Sequence, residues 1–192
     1  MIIKYIKNKK LEKRGFTLIE LLVSISIFTM ILTVIMGSIF SVFEANRKSQ
    51  SLRAVMDNLN FTLESMTRTI RFGTKYHCDI TSGNINEPQD CVSGGNSFSV
   101  TDSDGVINIY TMTNGRIARS RDGGNTYYNL TGSDVTITKL TFWIRGSQPL
   151  SSGDILQPRA IIVVSGYAGA KPTSRSTFTL ETMVSQRIFD SQ

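Results

Sequence analysis

From Leu21 to Phe43 the chain runs for 23 residues without a charged side chain. As an α-helix that run rises about 34 Å, enough to cross a bilayer core of roughly 30 Å. Within it Thr29, Thr33, Gly37 and Ser41 recur every fourth residue and share one face, while Leu18, Ile25, Phe28, Leu32, Ile35 and Ile39 form a bulky face. Small residues at that spacing let helix backbones approach closely, so this face is a candidate helix packing surface. The other reading is a membrane helix that merely tolerates Ser and Thr. The run contains no proline, and Gly37 is its only helix-weakening residue.

What precedes the run is basic and ends in glycine: Lys13-Arg14-Gly15-Phe16-Thr17-Leu18-Ile19-Glu20. An ordinary secretory signal is cut after its apolar core, beside small residues. Here no small-x-small site follows the core, and the natural break lies before it, at Gly15. Cleavage there leaves the apolar segment on the mature protein as a permanent membrane or assembly element. Glu20 then sits about one helical turn into that segment. A carboxylate at mid-bilayer costs something like 2.5–3.5 kcal/mol, so it is rarely kept in lipid without a partner.

This octet closely resembles the prepilin processing site of type IV pilins and of the pseudopilins of type II secretion and DNA-uptake systems. The resemblance covers residues 4–72, and the rest only in architecture. It implies an α+β, pilin-like fold: a long N-terminal helix, membrane-spanning in its first half and amphipathic in its second, packed on a C-terminal antiparallel β-sheet domain. It also implies that a prepilin peptidase, a membrane-embedded aspartyl enzyme, cuts after Gly15 and methylates the new amine of Phe16. By the same resemblance Glu20 neutralises the N-terminal amine of a neighbouring subunit during filament assembly. The implied partners are other pilin or pseudopilin subunits, an inner-membrane assembly platform and, before assembly, the lipid bilayer.

The net charge of +6 is mostly local. The leader carries Lys4, Lys7, Lys9, Lys10, Lys13 and Arg14 against Glu12, so the chain after Gly15 keeps about +1. That basic block reads as positive-inside orientation, with the N-terminus in the cytoplasm and the C-terminus sent outward. A polybasic nucleic-acid arm is the alternative, and it would be lost on cleavage. Cys78 and Cys91 are the two cysteines, both in the outward part. An even count in an exported segment points to a disulfide, which for so short a loop contributes about 3 kcal/mol in the chain-entropy model. Two free thiols are the other reading. His77 sits beside Cys78, but no paired C-x-x-C or second histidine accompanies it to make a metal site.

The expected organisation is a leader over 1–15, a transmembrane or filament-core helix over 16–43, its amphipathic continuation over 44–72 and a β-rich domain over 73–192. In the continuation, Leu52, Val55, Leu59, Leu63, Met66 and Ile70 make one narrow apolar stripe among charged positions. Phe16 to Phe72 would be one helix, stopped at Gly73. Beyond it the apolar period falls to two, predicting strands at Ser97–Val100, Val106–Met112, Arg116–Arg121, Val135–Arg145, Ala160–Tyr167 and Phe178–Ile188. Asp104-Gly105, Asn114-Gly115 and Asp122-Gly123-Gly124 read as hairpin turns. Val135 and Ile137 are out of phase with Leu140, Phe142 and Ile144, predicting a bulge near Lys139. Residues 74–96 and 146–157 read as loops. The C-terminal pattern, including Leu140–Ile144 and Leu180–Arg187, is more weakly similar to larger minor pilins and J-type pseudopilins.

Catalytic motifs are lacking: no G-x-S-x-G elbow, P-loop or H-E-x-x-H occurs. His77 reads as an ordinary loop residue rather than a general base. Asp102-Ser103-Asp104-Gly105 places its glycine two positions early for a calcium loop and has no closing glutamate, so it reads as a turn. Arg116, Arg119 and Arg121, with Tyr127 and Tyr128, could form a basic-aromatic surface for single-stranded nucleic acid, or simply the solvated face of an edge hairpin. The chain is thus expected to be a non-enzymatic structural subunit, a minor pilin or pseudopilin of a type IV pilus, type II secretion pseudopilus or competence filament. It would need no cofactor and would pass from the inner membrane to a periplasmic or cell-surface filament. The alternative is a membrane-anchored adhesive or DNA-binding module that uses the helix only as an anchor.

Overall fold

A computed structural model describes residues 15–169 and 175–188. The basic leader, up to Arg14, lies outside these described residues. The chain divides into two compact units, Met1–Asn46 and Arg47–Gln192. One helix, α1 (Leu18–Phe72), supplies the regular structure described in the first unit and continues into the second. It starts two residues later than the periodicity predicts, for a reason given with the site below.

In the first unit α1 is long and apolar enough to cross a membrane, and its side chains are exposed. Five of its hydroxyls are turned back onto the helix. Ser24, Ser26, Thr33 and Ser38 donate to carbonyls four residues earlier at 2.7–3.2 Å, and Thr29 donates to Ser26 at 3.0 Å. A hydroxyl satisfied by its own backbone can face lipid without an orphaned donor, which lets this helix carry so many Ser and Thr.

In the second unit α1 works as an amphipathic helix. Val55, Leu59, Leu63, Met66 and Ile70 are buried on one stripe, and Leu52 is half-buried. The helix ends where no side chain would fit: a Cβ on Gly73 would collide with Val100 Cγ2 and lie 2.8 Å from the Thr101 carbonyl. Its last carbonyls are satisfied from outside. The Tyr76 hydroxyl donates to Ile70 at 2.6 Å and the Arg187 amide donates to Arg71 at 2.8 Å.

The strands are β1 (Thr74–Cys78), β2 (Cys91–Gly95), β3 (Ser97–Thr101), β4 (Ile107–Thr113), β5 (Arg116–Ser120), β6 (Tyr128–Asn129), β7 (Val135–Arg145), β8 (Arg159–Ala168) and β9 (Ser176–Ser185). They form two antiparallel sheets rather than one, in the orders β1-β3-β4-β5-β6 and β2-β7-β8-β9. Both sheets and the helical stripe feed one core, in which Phe98 packs edge-on to Tyr76 and stacks with Phe142, each at 5.5 Å. The expected bulge is present: the β7–β8 register shifts between Ile137 and Lys139. Asn114 and Gly115 both adopt positive φ, 51° and 70°, as a tight two-residue hairpin requires.

Residues 74–96 are not simply a loop, because they contain β1 and β2. The chain leaves the four-stranded sheet after Gly95 and enters the five-stranded sheet at Ser97, so the sheets meet within a few residues. The last strand lies at Ser176–Ser185 rather than 178–188. Beyond it, the Gln186 side chain bonds the Ile188 carbonyl at 3.0 Å instead of extending the ladder.

Candidate functional site

Gly15, Phe16 and Thr17 precede the helix, and Thr17 is its N-cap. The Thr17 hydroxyl accepts the Glu20 amide at 3.3 Å and stands 3.5 Å from Glu20 Oε2, while the Thr17 carbonyl accepts the Leu21 amide at 3.2 Å. Thr17-x-x-Glu20 is therefore the capping-box pattern, Thr at the cap and Glu three residues on. This explains the start at Leu18: the cap satisfies a first-turn donor that a longer helix would otherwise supply with a carbonyl. The pattern was legible in the sequence, but the lipid cost of Glu20 draws attention away from it. The carboxylate stands at the positive end of the helix dipole, the favourable end for an anion.

Thr29, Thr33, Gly37 and Ser41 lie on α1 and are exposed. A Cβ added at Gly37 would meet nothing within 4 Å, so nothing in the chain itself requires glycine there.

Cys78 and Cys91 are joined by a disulfide. Cys78 belongs to β1 of the five-stranded sheet and Cys91 to β2 of the four-stranded one, so the bridge staples an edge strand of each sheet to the other. Gly95 makes room for it: a Cβ there would lie 2.6 Å from Cys78 Sγ and 2.9 Å from Cys91 Sγ. Nothing in the sequence pattern marks Gly95 for that role. The intervening loop is fastened on several sides. Asp90 accepts the Gly146 and Ser147 amides and the Ser147 hydroxyl at 2.7–3.3 Å, and Gln148 donates to the Pro88 carbonyl at 2.8 Å. Bonds from the Thr81 side chain and amide, with one from Ser97, hold the Asp79 carboxyl below its usual range.

His77 is not an ordinary loop residue. It is buried in β1, and its ring nitrogens lie 2.7 and 2.9 Å from the carbonyl oxygens of Glu87 and Ser82, pinning the disulfide loop. Asp102 is a turn residue: its Oδ1 accepts the Asp104 and Val106 amides at 3.0 and 2.9 Å. No group of three or more potential metal ligands occurs among the described residues.

The expected basic-aromatic group is split by the sheet. Arg119 and Tyr128 face each other across β5 and β6, whereas Arg116 falls at an odd offset and points to the opposite face, and Tyr127 precedes β6 without a partner in the sheet's register. Strand β5 is also internal, with β6 as the edge.

Residues 11–36 match the family described as the prokaryotic N-terminal methylation motif. No curated protein and no solved structure matches the chain. With that motif at the head of an apolar helix, and an α+β fold of one long helix on antiparallel sheets, the chain is a type IV pilin-like protein with a class III signal segment.

Proposed function

We propose that the protein is a non-enzymatic minor pilin or pseudopilin, cleaved after Gly15 by a prepilin peptidase, N-methylated on Phe16 and assembled into a filament through its N-terminal helix. The observation that carries this reading is a carboxylate, Glu20, in the first turn of a membrane-length apolar helix directly behind Gly15 and Phe16. Before assembly the basic leader stays in the cytoplasm, the segment 16–43 spans the inner membrane and the β-rich part folds outside. After cleavage, Glu20 of one subunit pairs with the Phe16 amine of another, so that two charges poorly solvated by lipid neutralise each other. The face of Thr29, Thr33, Gly37 and Ser41 then meets neighbouring helices in the shaft. The Thr29 and Thr33 hydroxyls are already bonded internally, so close approach would strand neither donor.

Mass spectrometry of the protein from native membranes tests the reading. A chain that begins at methylated Phe16 and is recovered in sheared filaments supports it. A chain that begins at Met1 in assembled material would end it. Gly37→Leu should leave processing intact and reduce incorporation, because the chain's own structure leaves room for the side chain and only a neighbouring helix would exclude it.

A further inference from the structure

Between the last turn of α1 and the outer part of the five-stranded sheet lies a cleft of about 370 Å³, lined by Arg68, Arg119 and Arg121 together with Thr69, Asn108 and Asp102. Three guanidiniums share it, and only one is paired. Asp102 Oδ2 accepts Asn108 at 2.8 Å and Arg121 at 3.4 Å, while its Oδ1 is taken by backbone amides. The Arg121–Asp102 pair is the only salt bridge among the described residues, so Arg68 and Arg119 face the cleft without a carboxylate partner among them. Arg119 is also half-buried, which makes its unused donors costlier than those of a freely solvated arginine. Asp104 stands exposed on the rim.

The cross-strand row supplies the rest. Tyr110, Arg119 and Tyr128 are direct partners across β4, β5 and β6, so all three side chains leave the same face of the sheet. Tyr110 is fully buried with its hydroxyl beside Thr69 and Arg119, close enough to feel both but without a well-aligned hydrogen bond to either. Burial pushes that phenol up, which keeps it a donor. At the other end of the row, the Tyr128 side chain is 67% exposed.

We propose that this cleft binds a phosphate group of a single nucleic-acid strand, held by Arg119 and Arg68, with an adjoining base stacked on Tyr128. A phosphodiester offers unprotonated oxygens to the forked guanidinium donors of Arg119 and Arg68 that line the cleft. A single strand leaves bases free to stack on an exposed ring, whereas a duplex keeps them paired inside. This function is separate from assembly through the N-terminal helix.

Fluorescence anisotropy of a labelled oligothymidylate with the full-length protein in micelles tests the proposal. Arg119→Gln and Arg68→Gln should each weaken binding about tenfold and lower the salt slope by about one contact. Arg68 is exposed, so its variant removes a donor without touching the core. Tyr128→Ala should weaken binding about tenfold while Tyr128→Phe retains it. Arg116→Gln, on the opposite face, should change nothing, and inorganic phosphate should compete only weakly. The proposal is overturned by an absence of oligonucleotide binding, by equal affinity for a duplex of the same length, or by an Arg116→Gln loss as large as that of Arg119→Gln. Competition by inorganic phosphate as strong as that of the unlabelled oligonucleotide would equally overturn it, showing a simple anion site.

Discussion

The Thr17 hydroxyl oxygen lies 3.3 Å from the amide nitrogen of Glu20, closing the first turn of α1 with a side chain instead of a further turn of helix. The residue that would neutralise an amine in a filament is therefore also part of a cap in the single chain. Two roles on one glutamate can be separated by substitution.

Thr17→Ala removes the cap acceptor and should cost the helix start about 1 kcal/mol. Hydrogen exchange at the amides of Glu20 and Leu21 in detergent micelles should then speed up by roughly fivefold, while Thr17→Ser stays close to wild type.

Glu20→Gln keeps a side chain able to complete a capping box but carries no charge. It should leave membrane insertion, cleavage and the exchange rates at the helix start unchanged, yet fail to enter filaments. Glu20→Leu should fail in assembly and also loosen the first turn. Filament incorporation of Glu20→Gln at the wild-type level would show that the glutamate serves only its own helix.

Replacing both cysteines with serine removes the bridge between the sheets and should lower stability by about 3 kcal/mol, roughly 10 °C in Tm for a unit of this size. Calorimetry of the oxidised full-length chain against the variant measures it. Gly95→Ala should behave similarly for another reason: its methyl group and the sulfurs compete for one space. Counting free thiols after air oxidation distinguishes a displaced bridge from a merely strained one.

Acid should loosen the turn after β5. The Ser120 hydroxyl donates to the Asp122 carboxylate at 2.6 Å and the Thr126 amide at 2.9 Å, holding that carboxyl far below its usual 3.8. A group whose folded value is depressed contributes stability that is present above its unfolded value and lost as pH falls through the folded one. Asp122→Asn should thus be less stable than wild type at about pH 5, with the gap narrowing towards about pH 2 in circular-dichroism melts.

Reading the sequence succeeds where one physical pattern dominates. The α1 stripe from Val55 to Ile70 is buried as its spacing requires, and the phase slip between Ile137 and Leu140 marks a real bulge. It fails where tertiary surroundings overwrite the pattern. Tyr76, His77 and Cys78 are buried in succession, so β1 has no alternation to detect and hides among polar neighbours. Strand β6 is two residues long, below any periodic signal. The cationic cleft is equally invisible in one dimension, since Arg68 and Arg119 are brought together only by packing α1 on β5. At the N-terminus the Thr17-x-x-Glu20 spacing spells the cap, whereas the roles proposed for Gly15, Phe16 and Glu20 depend on molecules outside this chain.

The bond between Cys78 and Cys91 gives the globular part a history as well as a shape. Thiols in a reducing cytosol stay apart, so a newly made chain has nothing covalent holding its two layers together there. Rigidity arrives only in an oxidising space. A copy whose sulfurs have not yet met would be measurably softer and easier for proteases to remove, which makes maturity of the fold a record of the redox conditions the molecule has passed through.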